Sequence, residues 1–287
     1  MNKNEHKTKD YEDGVYYAMD AQEYHSGHMV RGRLSSGMAR LLSDRDVTPG
    51  EALTSVLSDR STRAMDDGTT VHAYLLDGPD RFAVYSGDSW RTLEARKFRD
   101  EALISGKIPL LTRELERLES IRDEFSLADE LDGGNSEVTY LWTDYVDGEP
   151  VRCRARADYV RTDGDSVTII DLKTTKSLRL RDIERSILRY GYHQQAAHYM
   201  RGVRELLLDK EPTFAFIFLD ISDPKNSRFI TLDEPAIEAG EKLNQVAMSR
   251  FRIASDLDEW PNRKLEEEVV SLPSWYLDRV AADCGGF

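Results

Sequence analysis

The residues best suited to chemistry lie in one short stretch, 151–173, which reads VRCRARADYVRTDGDSVTIIDLK. Asp171-Leu172-Lys173 sets a carboxylate and an ammonium two residues apart, and on a strand that spacing puts both on one face. Asp158 belongs to the preceding strand-like run. Between the runs stands Thr162-Asp163-Gly164-Asp165, and Asp-Gly in such a place is a strong hairpin signal. With Thr162 facing Asp165, the register pairs Asp158 with Ile169 and Arg156 with Asp171. Arg152, Arg154, Arg156, Asp158, Asp171 and Lys173 then share a face, and the two aspartates are diagonal neighbours roughly 7–8 Å apart. That separation suits one hard, oxygen-loving cation, Mg²⁺ or Mn²⁺, which keeps several waters when protein-bound. Such an ion can activate a water and stabilise charge building on a phosphate. Lys173 could position or deprotonate that water, or neutralise the transition state. The plainer alternative is an Arg156–Asp171 salt bridge on an ordinary strand face.

The following helix adds to the cluster. Gln195, Tyr199, Val203 and Leu206 form one helical stripe, expected to face the sheet. A glutamine on a packing stripe must find polar partners, and a site at the strand ends would supply them. Upstream, Arg179, Arg181, Arg185 and Arg189 recur near helical spacing, as either a phosphate-tracking edge or a solvated face.

The elements that must hold these residues are legible in outline. Helical patterns cover 34–42 (with Ser35 or Ser36 as cap), 49–57, 62–76, 89–104 and 112–130. After Asp132-Gly133-Gly134-Asn135 the text turns β-branched and aromatic. Strands are expected over 137–145, 151–161 and 166–174, then a long helix over 180–208. The run 213–221 (TFAFIFLDI) is nearly all apolar, as a strand buried on both faces reads. A short strand over 228–232 and a helix over 234–255 follow. The predicted class is α+β, a central mixed sheet flanked by helices with a helical N-terminal part. A flexible arm is expected over 1–33 and one domain over 34–275 (34–132 helical, 137–232 sheet and motif helix, 234–275 C-terminal helix and packing segment). A tail over 276–287 carries Tyr276, while Trp260 and Trp275 are expected to lie across the surface.

With 287 residues the chain can bury a sizeable core. Two cysteines, Cys153 and Cys284, supply neither a disulfide framework nor a four-cysteine ligand set. No apolar run nears the roughly 20 residues that span a bilayer, and the polar N-terminus lacks a signal-peptide core; no membrane partner and a cytoplasmic location are expected. The formal net charge is −14, yet residues 151–205 carry 12 Lys/Arg against 7 Asp/Glu, a local +5 that leaves −19 elsewhere. A basic centre in an acidic shell could focus a polyanion into one channel.

Taken together, Asp158, Asp171-Leu172-Lys173 and Gln195-Ala196-Ala197-His198-Tyr199 resemble the PD-(D/E)XK nucleases, in the branch with a QxxxY helix. Gly68-Thr69-Thr70-Val71-His72 with Leu75-Leu76 and Phe82 looks like the histidine helix of the exodeoxyribonuclease VIII (RecE-like) exonucleases of phage or prophage type. Leu34-Ser35-Ser36-Gly37-Met38, Ser136-Glu137-Val138, Trp142, the 153–158 run and Trp260-Pro261 resemble that group too, so that the likeness covers roughly 24–275. Ala157 stands where the family often has a proline nearby. The resemblance implies Asp158, Asp171, His72 and the Leu172 carbonyl as ligands of Mg²⁺ or Mn²⁺, and Lys173 as catalytic lysine. Gln195 and Tyr199 would orient the site and contact DNA, with Glu137 as a supporting acid; His193 and His198 are bystanders. It further implies 5′→3′ exonuclease action on double-stranded DNA ends for recombination, a ring-shaped homo-oligomer and a single-strand annealing partner. Arg152, Arg154 and Arg156, with the helix arginines, would then bind DNA. The alternatives are a structure-specific or single-strand endonuclease of the superfamily, or a non-catalytic DNA-binding or assembly module. No GxxxxGK[ST] loop is present to supply a motor.

Overall fold

The computed structural model describes residues 10–58, 67–264 and 269–284. A six-stranded sheet forms its centre, built from β1 (Gly14–Tyr16), β4 (Asn135–Val146), β5 (Glu149–Asp163), β6 (Ser166–Thr175), β7 (Glu211–Asp220) and β8 (Ser227–Thr231), in that spatial order. All neighbours are antiparallel except β6 and β7, which run parallel. A parallel pair needs a crossover, and two helices make it: α8 (Leu180–Tyr190) and α9 (Tyr192–Leu206). The sequence reads as one long helix there. Gly191 splits it, taking a left-handed conformation (φ 67) that ends α8 and opens α9.

β7 shows why the sheet is a wall between two cores. Phe214, Phe216 and Phe218 point to one side, where they meet α9, α3 (Ser36–Ser43) and α10 (Glu234–Asp256). Ile217 and Leu219 point to the other, against α5 (Asp67–Asp77) and α7 (Thr112–Glu124). Each fully buried side chain of this size contributes about 1.5–3 kcal/mol, so both faces of β7 are committed to burial. The ends of the core helices are closed by side chains. Ser35 Oγ accepts from Met38 N at 3.3 Å, and Asp233 Oδ1 accepts from Ala236 N at 3.1 Å.

Several elements differ from the expectations. The 112–130 pattern is α7 to Glu124, followed by a short 3-10 helix at Ala128–Leu131. The 89–104 pattern is α6 (Leu93–Ile104) alone, capped by Thr92. β2 (Phe82–Tyr85) and β3 (Ile108–Leu111) form a separate parallel pair that four-residue apolar runs do not reveal. The helix expected over 62–76 has its first residues, 62–66, outside the described ones; the rest is α5. Within the expected arm, residues 1–9 lie outside the described ones, and from Asp10 on the chain lies against the sheet. It forms β1, α1 (Ala21–Tyr24) and α2 (Gly27–Gly32). α4 (Pro49–Ser58) begins at its proline, as the sequence suggests. The last helix, α11 (Ser274–Cys284), leaves Trp275 and Tyr276 exposed instead of seating them on the surface, whereas Trp260 meets Phe251 edge-on. Among the described residues no helix is long and apolar enough to cross a membrane.

His198 of α9 ties helix to sheet. It is 3 % exposed, its Nε2 donates to the Arg154 carbonyl at 3.0 Å, and its ring lies 4.8 Å from that of Trp142. Burial pushes its pKa from 6.5 down to about 4, so the folded protein keeps it neutral while the unfolded chain protonates it near pH 6.5. Its contribution is therefore complete above pH 6.5 and is lost as pH falls towards 4, costing about 3 kcal/mol in all. Thermal melts across that window should show His198→Gln, which keeps a donor, losing less Tm than the parent on acidification.

Candidate active site

The hairpin register differs from the expected one. Asp163 pairs with Ser166, so the loop is Gly164-Asp165 with glycine at its first central position and φ 56. Glycine supplies the positive φ that a two-residue hairpin loop demands there, which moves the turn centre by one residue. Tyr159 faces Ile170, the last pair of the ladder, and just beyond it Asp158 and Asp171 come close enough for one to act on the charge of the other. On the other side of β5, Ser136 faces Tyr159 and Val138 faces Ala157, bracketing Glu137 and Asp158. Glu137, Asp158 and Asp171 thus form one row across three adjacent strands.

At this row the sheet opens. The regular β5–β6 ladder ends at Tyr159 and Ile170, and side chains take over backbone groups released there. Leu172 N donates to Asp158 Oδ2 at 2.9 Å, and Tyr199 Oη donates to the Arg156 carbonyl at 3.1 Å. Further along β5, Leu34 bridges its backbone instead, donating to Arg152 O at 2.8 Å and accepting from Arg154 N at 2.9 Å. Glu137 has a left-handed backbone (φ 54), a conformation a non-glycine residue adopts only under constraint.

Four side chains converge on the two aspartates. His72 Nε2, from α5, stands 2.7 Å from Asp158 Oδ2. Lys173 Nζ is 2.5 Å from Asp171 Oδ2. Gln195 Nε2 donates to Asp171 Oδ1 at 2.5 Å, and the ring of Tyr192 lies 4.7 Å from Lys173 Nζ. Glu137 completes the row but is held by Arg156 through Nε and Oε2. The expected Arg156–Asp171 pairing is replaced by this Arg156–Glu137 pair, as the shifted register requires.

The electrostatics divide the carboxylates. Burial and the neighbouring Asp158 raise Asp171 to about 6 despite Lys173. Burial would raise Asp158 as well, but His72, then Lys173 and the Leu172 N–H, hold it below the ordinary value. Burial also raises Glu137. His72 would be lowered by burial, yet Asp158, with Asp171 and Glu137 behind it, lifts its pKa to about 9. For Lys173, too, the carboxylates outweigh burial and raise the pKa. Three acids and three cations, His72, Lys173 and Arg156, share their charge among themselves.

Whether these residues fit a divalent cation can be judged from the donors. Asp171 is 2 % exposed, and its Oδ2 meets only the Lys173 ammonium, 2.5 Å away, leaving a second lone pair of that buried oxygen open. Among the described residues no three His, Cys, Asp or Glu side chains are already arranged around one point, because His72 and Lys173 occupy the carboxylates. Mg²⁺ needs only one or two carboxylates plus waters, and Asp158 with Asp171 meets that demand. His72, protonated in this arrangement, would have to shed its proton to become a ligand. For Leu172 the structure shows the N–H at work on Asp158, not the carbonyl.

The arginines separate into two groups. Arg152, Arg154 and Arg156 share a face with one another but not with Asp171 and Lys173, because Cys153, Ala155 and Ala157 sit in one core while Ile170 and Leu172 sit in the other; the chain from Asp10 to Tyr24 pairs with all three arginines. Arg152 bonds Asp10 and the Tyr11 carbonyl at 2.8 and 3.1 Å. Arg154, 1 % exposed, donates to the Tyr24 carbonyl and stacks 4.5 Å above that ring. Arg156 donates to the Met19 carbonyl at 3.1 Å. In contrast, Arg179, Arg181, Arg185 and Arg189 are exposed along α8. Arg181 and Arg185 lie 3.9 and 3.4 Å from Asp182. His193 stays outside the cluster described above, whereas His198 is a buried tie.

Sequence reasoning missed Tyr192 and Tyr24. Tyr192 was findable, since it stands three residues before Gln195 on the same helix face. Tyr24 was not, because its partner is 130 residues away. Gly68 also has a positional role: a Cβ there would stand 2.6 Å from Thr174 Oγ1, so a bare glycine lets the start of α5 approach β6 and brings His72 to the row.

Residues 46–269 match the family model described as a PDDEXK-like domain of unknown function (DUF3799). Among solved structures, the chain is similar to the "Putative exonuclease" from Eubacterium rectale, at 13 % identity and a TM-score of 0.55, over 94 % of this chain and 99 % of that one. At that identity the likeness speaks for the fold. A weaker likeness, to SSO0001, has 16 % identity and a TM-score of 0.30 over 57 % of this chain and 66 % of the other, too low to bear on the fold. No curated protein matches the sequence.

Proposed function

The chain belongs to the family of the PDDEXK-like domain DUF3799, and from that premise we propose that it is a Mg²⁺- or Mn²⁺-dependent exodeoxyribonuclease. It hydrolyses phosphodiester bonds from double-stranded DNA ends, in the 5′→3′ direction, in the service of recombination. One observation carries this reading: Asp158 and Asp171 lie just past the last pair of the β5–β6 ladder, close enough for Asp158 to act on the charge of Asp171, with Lys173 2.5 Å from Asp171 and Gln195 on its other oxygen.

Asp158 and Asp171 would hold the cation, with His72 as a further ligand once deprotonated. The bound cation supplies Lewis acidity to the attacking water and the scissile phosphate. Gln195 fixes the orientation of Asp171 by holding Oδ1. Lys173 would then exchange Asp171 for the substrate, placing its ammonium where negative charge builds on the phosphate. In that place its part would be electrostatic and positional. Tyr199 holds the Arg156 carbonyl and so fixes the strand just before Asp158. Arg156 keeps Glu137 beside that carboxylate. The exposed arginines of α8 remain the cationic approach for DNA, since those of β5 are engaged by the chain itself. A homo-oligomeric ring and a single-strand annealing partner belong to the same proposal; a mass measurement in solution tests the ring.

The exonuclease reading is separated from an endonuclease by substrate form. With Mg²⁺, linear duplex should be degraded to completion while covalently closed circular duplex of the same sequence survives. Nicking or linearisation of the circle at a comparable rate would instead make the protein an endonuclease.

A further inference from the structure

A basic recess lies just beyond the catalytic strand, and of its residues only Arg179 figures in the proposal above. It opens at the carboxyl ends of the parallel pair, where Thr175 and Asp220 form the last rung of β6 and β7. The edge outside parallel strand ends is a recurrent place for ligands in α/β sheets. The cavity measures about 580 Å³, and its walls include Lys176, Arg179, Arg228, Ser177, Asn226 and Ser227. No ion pair holds any of the three cations among the described residues. Asp220 and Asp223 also line it, but both are engaged within their own turn, Asp220 by Ser222 N and Oγ and Asp223 by Asn226. Three positive and two negative side chains leave the wall at +1; Arg179 also acts on Asp182, while Asp220 and Asp223 accept from neutral donors of their own turn.

The position limits what an anion there could be. Lys176 is three residues past Lys173, roughly 10 Å along an extended chain. That is the reach of a few nucleotide steps at about 3.4 Å each along one strand. A volume of this size admits a sugar-phosphate unit with its waters, and the Ser177, Asn226 and Ser227 side chains supply neutral hydrogen-bonding groups beside the cations. We propose that this recess binds a backbone phosphate of the nucleic-acid strand, a few nucleotides from the bond being cut, with Lys176 and Arg228 as its cationic walls. The proposal rests on the nuclease reading for the identity of the strand. It adds a specificity-determining subsite outside the carboxylate row, one that grips substrates long enough to reach it.

The test uses the full chain with Arg228→Glu and Lys176→Glu, both at exposed positions, and Lys242→Glu on α10 as a control for net charge. Steady-state hydrolysis of linear duplex with Mg²⁺ should show KM raised about tenfold or more by either recess variant, with kcat within about twofold of the parent. Hydrolysis of bis(p-nitrophenyl) phosphate, too short to reach the recess, should be unchanged. Binding of labelled DNA in EDTA, read by fluorescence anisotropy at several salt concentrations, should lose about one from the log–log salt slope in each recess variant. Lys242→Glu should leave all three readings as in the parent. Parent-like DNA binding and KM in both recess variants would overturn the subsite. So would inhibition by inorganic phosphate that is lost in Arg228→Glu while KM for DNA is unchanged, since the recess would then hold free phosphate. Failure of the nuclease reading would look different: no metal-dependent cleavage by the parent, with the binding series still deciding whether the recess contacts DNA.

Discussion

Asp171→Asn should abolish Mg²⁺-dependent nucleotide release from duplex DNA and, in the same protein, the rise in Tm that Mg²⁺ is expected to give the parent. The substitution is close to isosteric and removes one negative charge from a row of three. Asp171 lies on the strand shared by the antiparallel and parallel halves of the sheet, 2 % exposed. Its ordinary cost there is partly electrostatic: burial and Asp158 raise its pKa to about 6, so the charge is borne at a cost that a bound cation would offset. Without that charge Asp158 alone faces the cation. The loss of several kcal/mol of Lewis-acid stabilisation corresponds to about 10³-fold or more in rate, at 1.36 kcal/mol per decade. The Tm readout is independent of turnover. A cation at 100 times its Kd stabilises the parent by about 2.7 kcal/mol, and the variant should show little of this. A variant that melts like the metal-free parent and still cleaves would remove Asp171 from the site.

Lys173→Met separates binding from chemistry. Lys173 is the cation nearest the row, 2.5 Å from Asp171 and 4.7 Å from the Tyr192 ring. Removing it leaves the three carboxylates compensated chiefly by His72 and Arg156. The metal-free protein should therefore melt lower, and Mg²⁺ should recover as much Tm as in the parent or more, because a competitor for Asp171 is gone. Activity should nevertheless fall by about 10²–10⁴-fold, the range for loss of one positioned electrostatic or acid–base group. Lys173→Arg should restore charge but not rate, since a planar guanidinium cannot reproduce a compact ammonium in that pocket. Intact turnover in Lys173→Met would mean that the lysine is only a counter-ion to Asp171.

The contrast between these variants reflects which parts of the site are local in sequence. Asp158, Asp171 and Lys173 were legible because alternation along a strand assigns faces without knowing the partner. The turn centre moved by one residue, which alone would leave every face as it was, but alternation also breaks at Asp158: Ala155, Ala157 and Val160 lie in one core and Tyr159, Ile170 and Leu172 in the other, so Arg152, Arg154 and Arg156 point to the side opposite Asp171 and Lys173. Gln195 and Tyr199 were legible by the same logic at helical spacing. Register-dependent contacts were not: Arg156 was assigned to Asp171 and meets Glu137. Nor were contacts made across the length of the chain. Arg152, Arg154 and Arg156 read as an open cationic face, yet the carbonyls and carboxylates of residues 10–24 cover them. Gly191, visible in sequence, breaks α8 from α9 and sets the angle at which Gln195 enters the site. The sheet's two-sided core was plain from the apolar run of β7, while β2 and β3 were too short to announce themselves.

The most direct measurement is digestion of linear duplex labelled at either the 5′ or the 3′ end, with Mg²⁺ present and with EDTA as its control. A protein that works through the Asp158–Asp171 row as a 5′→3′ exonuclease releases the 5′ label early as short product and the 3′ label only late, and releases neither in EDTA. Equal release in EDTA, or no release of either label by folded protein with Mg²⁺ or Mn²⁺, would contradict it.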